Sequence, residues 1–144
     1  VLIPDVDVFV YAARSDVGRH QEFREWLEST LSGTESVGVS ESVLASVIRI
    51  TTNRRIFCRP STLDEILEFT GAVLDAPSAV ALRPGPRHWE LFTTLCRAGG
   101  AKGDLVPDAF LSALAIESGA TLVTADQGMR RWPGVRVRHP FDPG

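Results

Sequence analysis

The chain opens on Val1-Leu2-Ile3-Pro4-Asp5-Val6-Asp7-Val8-Phe9-Val10-Tyr11-Ala12. An ionised carboxylate set between apolar segments is costly unless its charge is compensated. The stretch therefore reads as a buried strand that delivers Asp5 at its carboxyl end, with Asp7 two positions on and an apolar run after it. In open α/β sheets, ligands bind outside the carboxyl ends of the strands. The first twelve residues thus constrain both the fold class and the place where chemistry is expected.

The rest of the chain fits that frame. Apolar periodicity stops at Arg14-Ser15-Asp16. Phe23, Trp26, Leu27 and Leu31 then recur at helical spacing between Gly18 and Leu31, and Ser32-Gly33 closes that helix. Residues 36–39 form a short strand, and Glu41 to Thr52 a helix with Val43, Leu44, Val47, Ile48 and Ile50 as its apolar members. Residues 53–57 connect it to another helix, which runs from the Pro60-Ser61-Thr62 opening to about Asp75. Thr62 and Glu65 stand there in capping-box spacing. Residues 79–82 are a third strand. Pro86 is placed at a helix N1 position, and Trp89, Leu91, Phe92 and Leu95 carry that helix to Arg97, with Trp89 and Phe92 assigned to the core or to a dimer interface. After the loop Gly99–Gly103 come a helix from Leu105 to Glu117, a stop at Gly119, a strand over 121–124 that leads to Asp126, and a last, edge-type strand over 135–137. Short strands separated by helices imply parallel βα units with both faces of the sheet covered. The expectation is one domain over residues 1–144, with a central, mostly parallel sheet of about five short strands.

Composition removes several classes. No apolar run approaches the roughly 18 residues that a membrane span needs. No basic region or small-residue cleavage site marks a secretory signal, so a cytoplasmic protein is expected. Val1 is compatible with a GTG start or a removed methionine. Cys58 and Cys96 lack metal-ligand spacing and are expected as buried free thiols. Net charge is −3, with Lys102 the only lysine among 15 basic residues. The arginines gather at Arg49, Arg54, Arg55 and Arg59, and again at Arg130, Arg131, Arg136 and Arg138. A guanidinium suits phosphate, and it equally suits a salt-bridged surface.

Asp5, Asp108 and Asp126 occupy comparable places. Two follow strands, and Asp108 lies in the first turn of a helix after a Gly-rich loop. Asp104, four residues before Asp108, shares its side of the helix start and reads first as a cap. Carboxylates that converge repel one another, and a divalent cation relieves this. All-oxygen donors suit Mg²⁺ or Mn²⁺ rather than zinc, and His20, His88 and His139 show no ligand spacing. Carboxylate-held metals activate water for displacement at phosphorus.

On these residues the chain resembles the PIN-domain ribonucleases, and within them the VapC-type toxins of toxin–antitoxin pairs. The resemblance rests on Ile3–Ala12, Val43–Asn53, Leu105–Leu111 and Gly119–Asp126, and it spans nearly the whole chain. It implies a three-layer α/β/α fold, a Mg²⁺- or Mn²⁺-dependent endoribonuclease, a homodimer and a VapB-like antitoxin that blocks the site. Asp5, Asp108 and Asp126 match the family's metal-site acids. Asp7 falls where many members carry Asn or Ser in support of the site, and Asp104 where Asn is frequent. The chain departs at Ser46, where relatives often carry Glu, and at Gly128, where they often carry a second acid. Glu41 is the nearest substitute, about 7.5 Å along a helix from Ser46 and roughly 140° around it.

As a metal nuclease, the chain would use Asp5, Asp108 and Asp126, with Ser46 or Thr124 positioning water or a phosphate oxygen. Arg49, Arg54 and Arg55 would meet RNA phosphates or the antitoxin. Ser46 also reads as a small packing residue, and Thr124 as a strand residue. Two other readings exist. Asp5-Val6-Asp7 after an apolar strand also resembles a haloacid-dehalogenase-type phosphatase start, although no acid follows Asp126 directly and Lys102 sits in a Gly-rich loop. A catalytically weakened protein of the same fold would bind RNA or antitoxin without cleavage.

Overall fold

A computed structural model describes residues 1–143. The elements follow in the order β1 (Leu2–Pro4), α1 (Val6–Ala13), α2 (His20–Leu31), β2 (Val37–Ser40), α3 (Glu41–Thr51), α4 (Leu63–Asp75), β3 (Ala79–Leu82), α5 (His88–Gly99), α6 (Leu105–Ser118), β4 (Thr121–Val123) and β5 (Arg136–Arg138). A single 3₁₀ turn, Gln127–Arg131, lies between β4 and β5. The five strands form one sheet in the order β3-β2-β1-β4-β5. Every pairing is parallel, with Leu2 opposite Val37 and Thr121, and Thr121 opposite Arg136. A pair of helices joins each of β1 to β2, β2 to β3 and β3 to β4, as parallel crossovers require. The three-layer α/β/α expectation is met.

The central strands are buried on both faces, and so they are short apolar runs rather than alternating ones. Ile3, Val37, Val39, Leu122 and Val123 form the sheet's share of the core. Gly38 is dictated by packing: a Cβ there would lie 2.2 Å from Cδ1 of Leu82 and 3.2 Å from Cγ1 of Ile3. Gly119 ends α6 in the left-handed region at φ 66°, which closes the helix without a Cβ penalty. At the start of α4, Thr62 Oγ1 accepts from the Glu65 amide at 3.2 Å, the expected cap.

The apolar run after Asp5 is a helix: Asp5 directly follows β1 and is the N-cap of α1. Some expectations change. Pro86 is outside α5, which starts at His88, so it is not at N1. Cys58 is exposed, not buried, and Cys96 is half-buried. Cys58 lies in the segment between α3 and α4, where its neighbour Phe57, not the thiol, packs against the core. Phe92 joins the core, whereas Trp89 stays 68% exposed. Among the described residues no helix is long and apolar enough to cross a membrane.

Candidate active site

The sheet order changes direction at β1. From β1 the chain builds β2 and β3 on one side and later β4 and β5 on the other. The carboxyl ends of the adjacent strands β1 and β4 therefore form the switch point at which such sheets bind ligands. Pro4 stands opposite Val123, and the Asp5 amide donates to the Val123 carbonyl at 2.9 Å. Asp5 and Asp7 follow β1 directly, and Thr124 and Asp126 follow β4. Asp108 comes from the first turn of α6.

A buried hydroxyl links these acids. Thr124 Oγ1 donates to Asp5 Oδ2 at 2.8 Å, with the Asp7 oxygens farther off at 3.2 and 3.4 Å. The same oxygen accepts from the Asp126 amide at 3.0 Å. Three further carboxylate oxygens accept from the backbone. Asp5 Oδ1 accepts from the Val6 amide at 2.7 Å, and Asp7 Oδ2 from the Ala125 amide at 3.1 Å. Asp126 Oδ1 caps the 3₁₀ turn by accepting from the Gly128 amide at 2.8 Å. A Cβ at Gly128 would lie 2.9 Å from that oxygen. The absence of an acid at Gly128 is thus tied to the position of Asp126.

Negative charge accumulates here with only partial compensation. Burial pushes the Asp7 carboxyl up to about 7, and the charge of Asp5 adds to the shift. Asp108 rises to about 6 through burial and then the charges of Asp5, Asp126 and Asp104, against the opposing charge of Arg131. Asp5 is also raised, by burial first, although hydrogen bonds from Thr124 and Val6 favour its ionised form and Asp126 disfavours it. The Tyr11 phenol is raised by burial and by the charges of Asp7, Asp126 and Asp5. Tyr11 lies one helical turn from Asp7, a relation legible only once residues 6–13 are known to be helical. Arg131 belongs to an arginine cluster visible in the sequence, but its link to Asp108 comes from the fold.

The other candidates divide. Ser46 lines a cavity together with Asp5 and Asp108, and Ser42 lines it too, a residue the sequence did not single out. Asp104 is exposed at the N-cap position of α6 and makes no side-chain cap bond, yet its charge acts on Asp108. Glu41 turns elsewhere: its Oε1 lies 3.5 Å from Nη2 of Arg83, both side chains exposed. Arg49, Arg54 and Arg55 are exposed at and beyond the carboxyl end of α3. Arg49 follows Ser46 by three residues, about 4.5 Å along α3, whereas Arg54 and Arg55 lie beyond the end of that helix.

A family model of the PIN domain matches residues 2–135. This chain belongs to the PIN domain family. It is 42% identical over 142 residues to Ribonuclease VapC43 of Mycobacterium tuberculosis, covering 99% of this chain and 97% of that protein. The fold of this PIN domain is similar to VapBC2 from Rickettsia felis bound to a promoter DNA fragment. That match has a TM-score of 0.69 at 16% identity and covers 96% of this chain and 97% of the other. It is also similar to VapC20 of M. tuberculosis, a Sarcin-Ricin loop cleaving toxin. There the TM-score is 0.66 at 14% identity, over 94% of this chain and 99% of the other. The resemblance to the VapC-type group is borne out, and the phosphatase alternative falls away.

The donor chemistry of this PIN domain fits a hard divalent cation. The candidate ligands are all carboxylate oxygens, and their charges are mutually repulsive as they stand. Among the described residues no three His, Cys, Asp or Glu side chains form a ready-made metal cluster. Mg²⁺ does not require one, because it is commonly held by one or two carboxylates together with waters and phosphate. Asp5 and Asp108, which border one cavity, are the pair best placed to hold it, with Asp126 beside them.

Proposed function

We propose that this PIN domain is a Mg²⁺-dependent endoribonuclease, with Mn²⁺ as a possible substitute, and that it is the toxin of a toxin–antitoxin pair. The observation that carries the reading is the convergence of Asp5, Asp108 and Asp126 at the sheet's switch point, with raised proton affinity at Asp5 and Asp108. When bound, the cation activates water and offsets charge on a phosphodiester under attack. Asp5 and Asp108 would hold and orient it. Asp126 offers its Oδ2, since Oδ1 is committed to the Gly128 amide. Thr124 orients Asp5 and fixes the backbone of Asp126. A ribonuclease name on a relative 42% identical over nearly the whole chain supports the substrate class. The same reading includes a VapB-like antitoxin, for which the VapBC neighbours speak, and a homodimer in the cytoplasm.

The test is incubation of purified, partner-free protein with total RNA in Mg²⁺ or in EDTA. Cleavage in Mg²⁺ alone is expected. Equal cleavage in both, or none in either, would sink the proposal. Asp108→Asn is expected to abolish cleavage while raising the thermal transition of metal-free protein, because it removes a partly buried repulsive charge. The absence of a ready-made three-residue metal cluster favours one rival, a PIN-fold protein that binds RNA or antitoxin without cutting. Mg²⁺ titration by calorimetry separates the two, since the rival takes up no Mg²⁺ at millimolar concentration.

A further inference from the structure

The cavity bordered by Asp5 and Asp108 extends past the carboxylates into a space that neither a cation nor a phosphate requires. Its volume is about 330 Å³, at the low end of the roughly 300–1,000 Å³ of small-ligand pockets. Val43 of α3 and Val106, Pro107 and Phe110 of α6 give it apolar walls, and Ser42 and Ser46 add two hydroxyls. No Lys or Arg lines it. Phe110 is held in place from behind. Its ring meets His88 edge-on at 4.3 Å and Phe92 at 5.4 Å, and its carbonyl bonds to His88 Nε2 at 2.9 Å. The wall is therefore built before any ligand arrives. Ser42 Oγ is 2.7 Å from Ser40 Oγ, whereas Ser46 Oγ makes no hydrogen bond among the described residues.

We infer that this cavity binds one unstacked nucleobase of the RNA strand whose phosphate lies against Asp5 and Asp108. The inference rests on the RNA-cleaving reading of the site. A nucleotide has the matching chemistry: an anionic end that needs the metal pole, and a flat apolar ring with polar edges. Proteins read single-stranded RNA by splaying bases out against apolar and aromatic side chains and bonding their edges. Serine hydroxyls both donate and accept, so they can read such an edge without adding charge. The small side chain of Ser46 keeps the gap between α3 and α6 open. This makes the cavity the element that selects the base beside the cut.

The experiment uses four fluorescein-labelled RNA octamers, rA, rC, rG and rU, with binding followed by anisotropy at fixed salt in Ca²⁺, an oxygen-seeking cation that supplies the metal pole in place of Mg²⁺. The parent protein is expected to prefer one octamer over the weakest by about tenfold, the scale of one stacked base. Ser46→Leu fills the cavity and is expected to bring all four affinities within twofold by weakening the best. Val106→Ser alters a rim residue that is 36% exposed, so folding is spared, and is expected to weaken the best octamer several-fold and leave the weakest unchanged. Equal affinities for all four in the parent overturn the inference and leave the cavity to a protein partner's side chain. A uniform loss across all four in both variants also overturns it. Base-selective binding without Mg²⁺-dependent cleavage leaves the pocket standing and removes the nuclease reading. Cleavage with four equal affinities does the reverse.

Discussion

Thr124 is the residue on which the acid cluster turns. Its hydroxyl is buried, donates to Asp5 and accepts from the Asp126 amide. Thr124→Val keeps the shape and leaves both partners short of a bond. It is expected to lower stability by about 1–3 kcal/mol and to reduce cleavage far more than Thr124→Ser does. Denaturant melts and initial rates on one RNA check both halves. Gly128 carries the opposite lesson. The family resemblance implies that Gly128→Asp would add a ligand, yet a Cβ at this position would lie 2.9 Å from Asp126 Oδ1. The expected result is a lower rate and weaker Mg²⁺ dependence, read from the half-saturating Mg²⁺ concentration. A gain in rate would show that Asp126 moves without loss.

At the scale of elements, helix starts place both structure and chemistry. Asp5 caps α1, Asp108 sits in the first turn of α6 and Asp126 caps the 3₁₀ turn. Carboxylates at helix starts are stabilised by the free amides and the helix dipole. The acids therefore hold structural places whether or not a metal is bound. The start of α4 is the control, because Thr62 caps a helix that contributes nothing to the acid cluster. Thr62→Ala is expected to cost about 1 kcal/mol, seen as a lower thermal midpoint, with cleavage at permissive temperature unchanged. A loss of cleavage would place α4 in the mechanism.

For the whole molecule, the raised carboxyls predict a distinctive pH response. Asp7 titrates at about 7 and Asp108 at about 6 in the folded protein, against an ordinary value of 3.8. Between these values the native state binds more protons than the unfolded chain, so stability falls as pH rises through that window. Metal-free protein is expected to melt higher at pH 5 than at pH 8. Mg²⁺ replaces protons as the compensating charge, so it should raise the midpoint more at pH 8 than at pH 5. Scanning calorimetry with EDTA and with Mg²⁺ checks this. A midpoint independent of pH in EDTA would mean that the acids are already neutralised within the fold.

Much of this protein is determined locally, and so it is legible in the chain. The strands at β1, β2, β3 and β4 are short apolar runs, the Thr62 cap and the Gly119 stop are local signals, and Asp5, Asp108 and Asp126 stand out because each adjoins an apolar element. The helix α1 is less legible, because Val6, Val8 and Val10 are β-branched and favour strands, and it is Asp5 as a cap and burial of Val8, Phe9 and Val10 in the core, beside α2 and α3, that accompany the helix. Other features belong to tertiary structure alone. Asp5 and Thr124 are 119 positions apart and meet because β1 and β4 pair. Glu41, close to Ser46 in sequence, turns to Arg83 because the start of α3 faces the loop after β3. The cavity beside Ser46 exists only because the fold brings residues of α3 and α6, about 60 positions apart, to face one another across it. Propensity and capping act over a few residues, and the chain writes them directly. The meeting of distant residues depends on crossovers that order the strands, which no local pattern encodes.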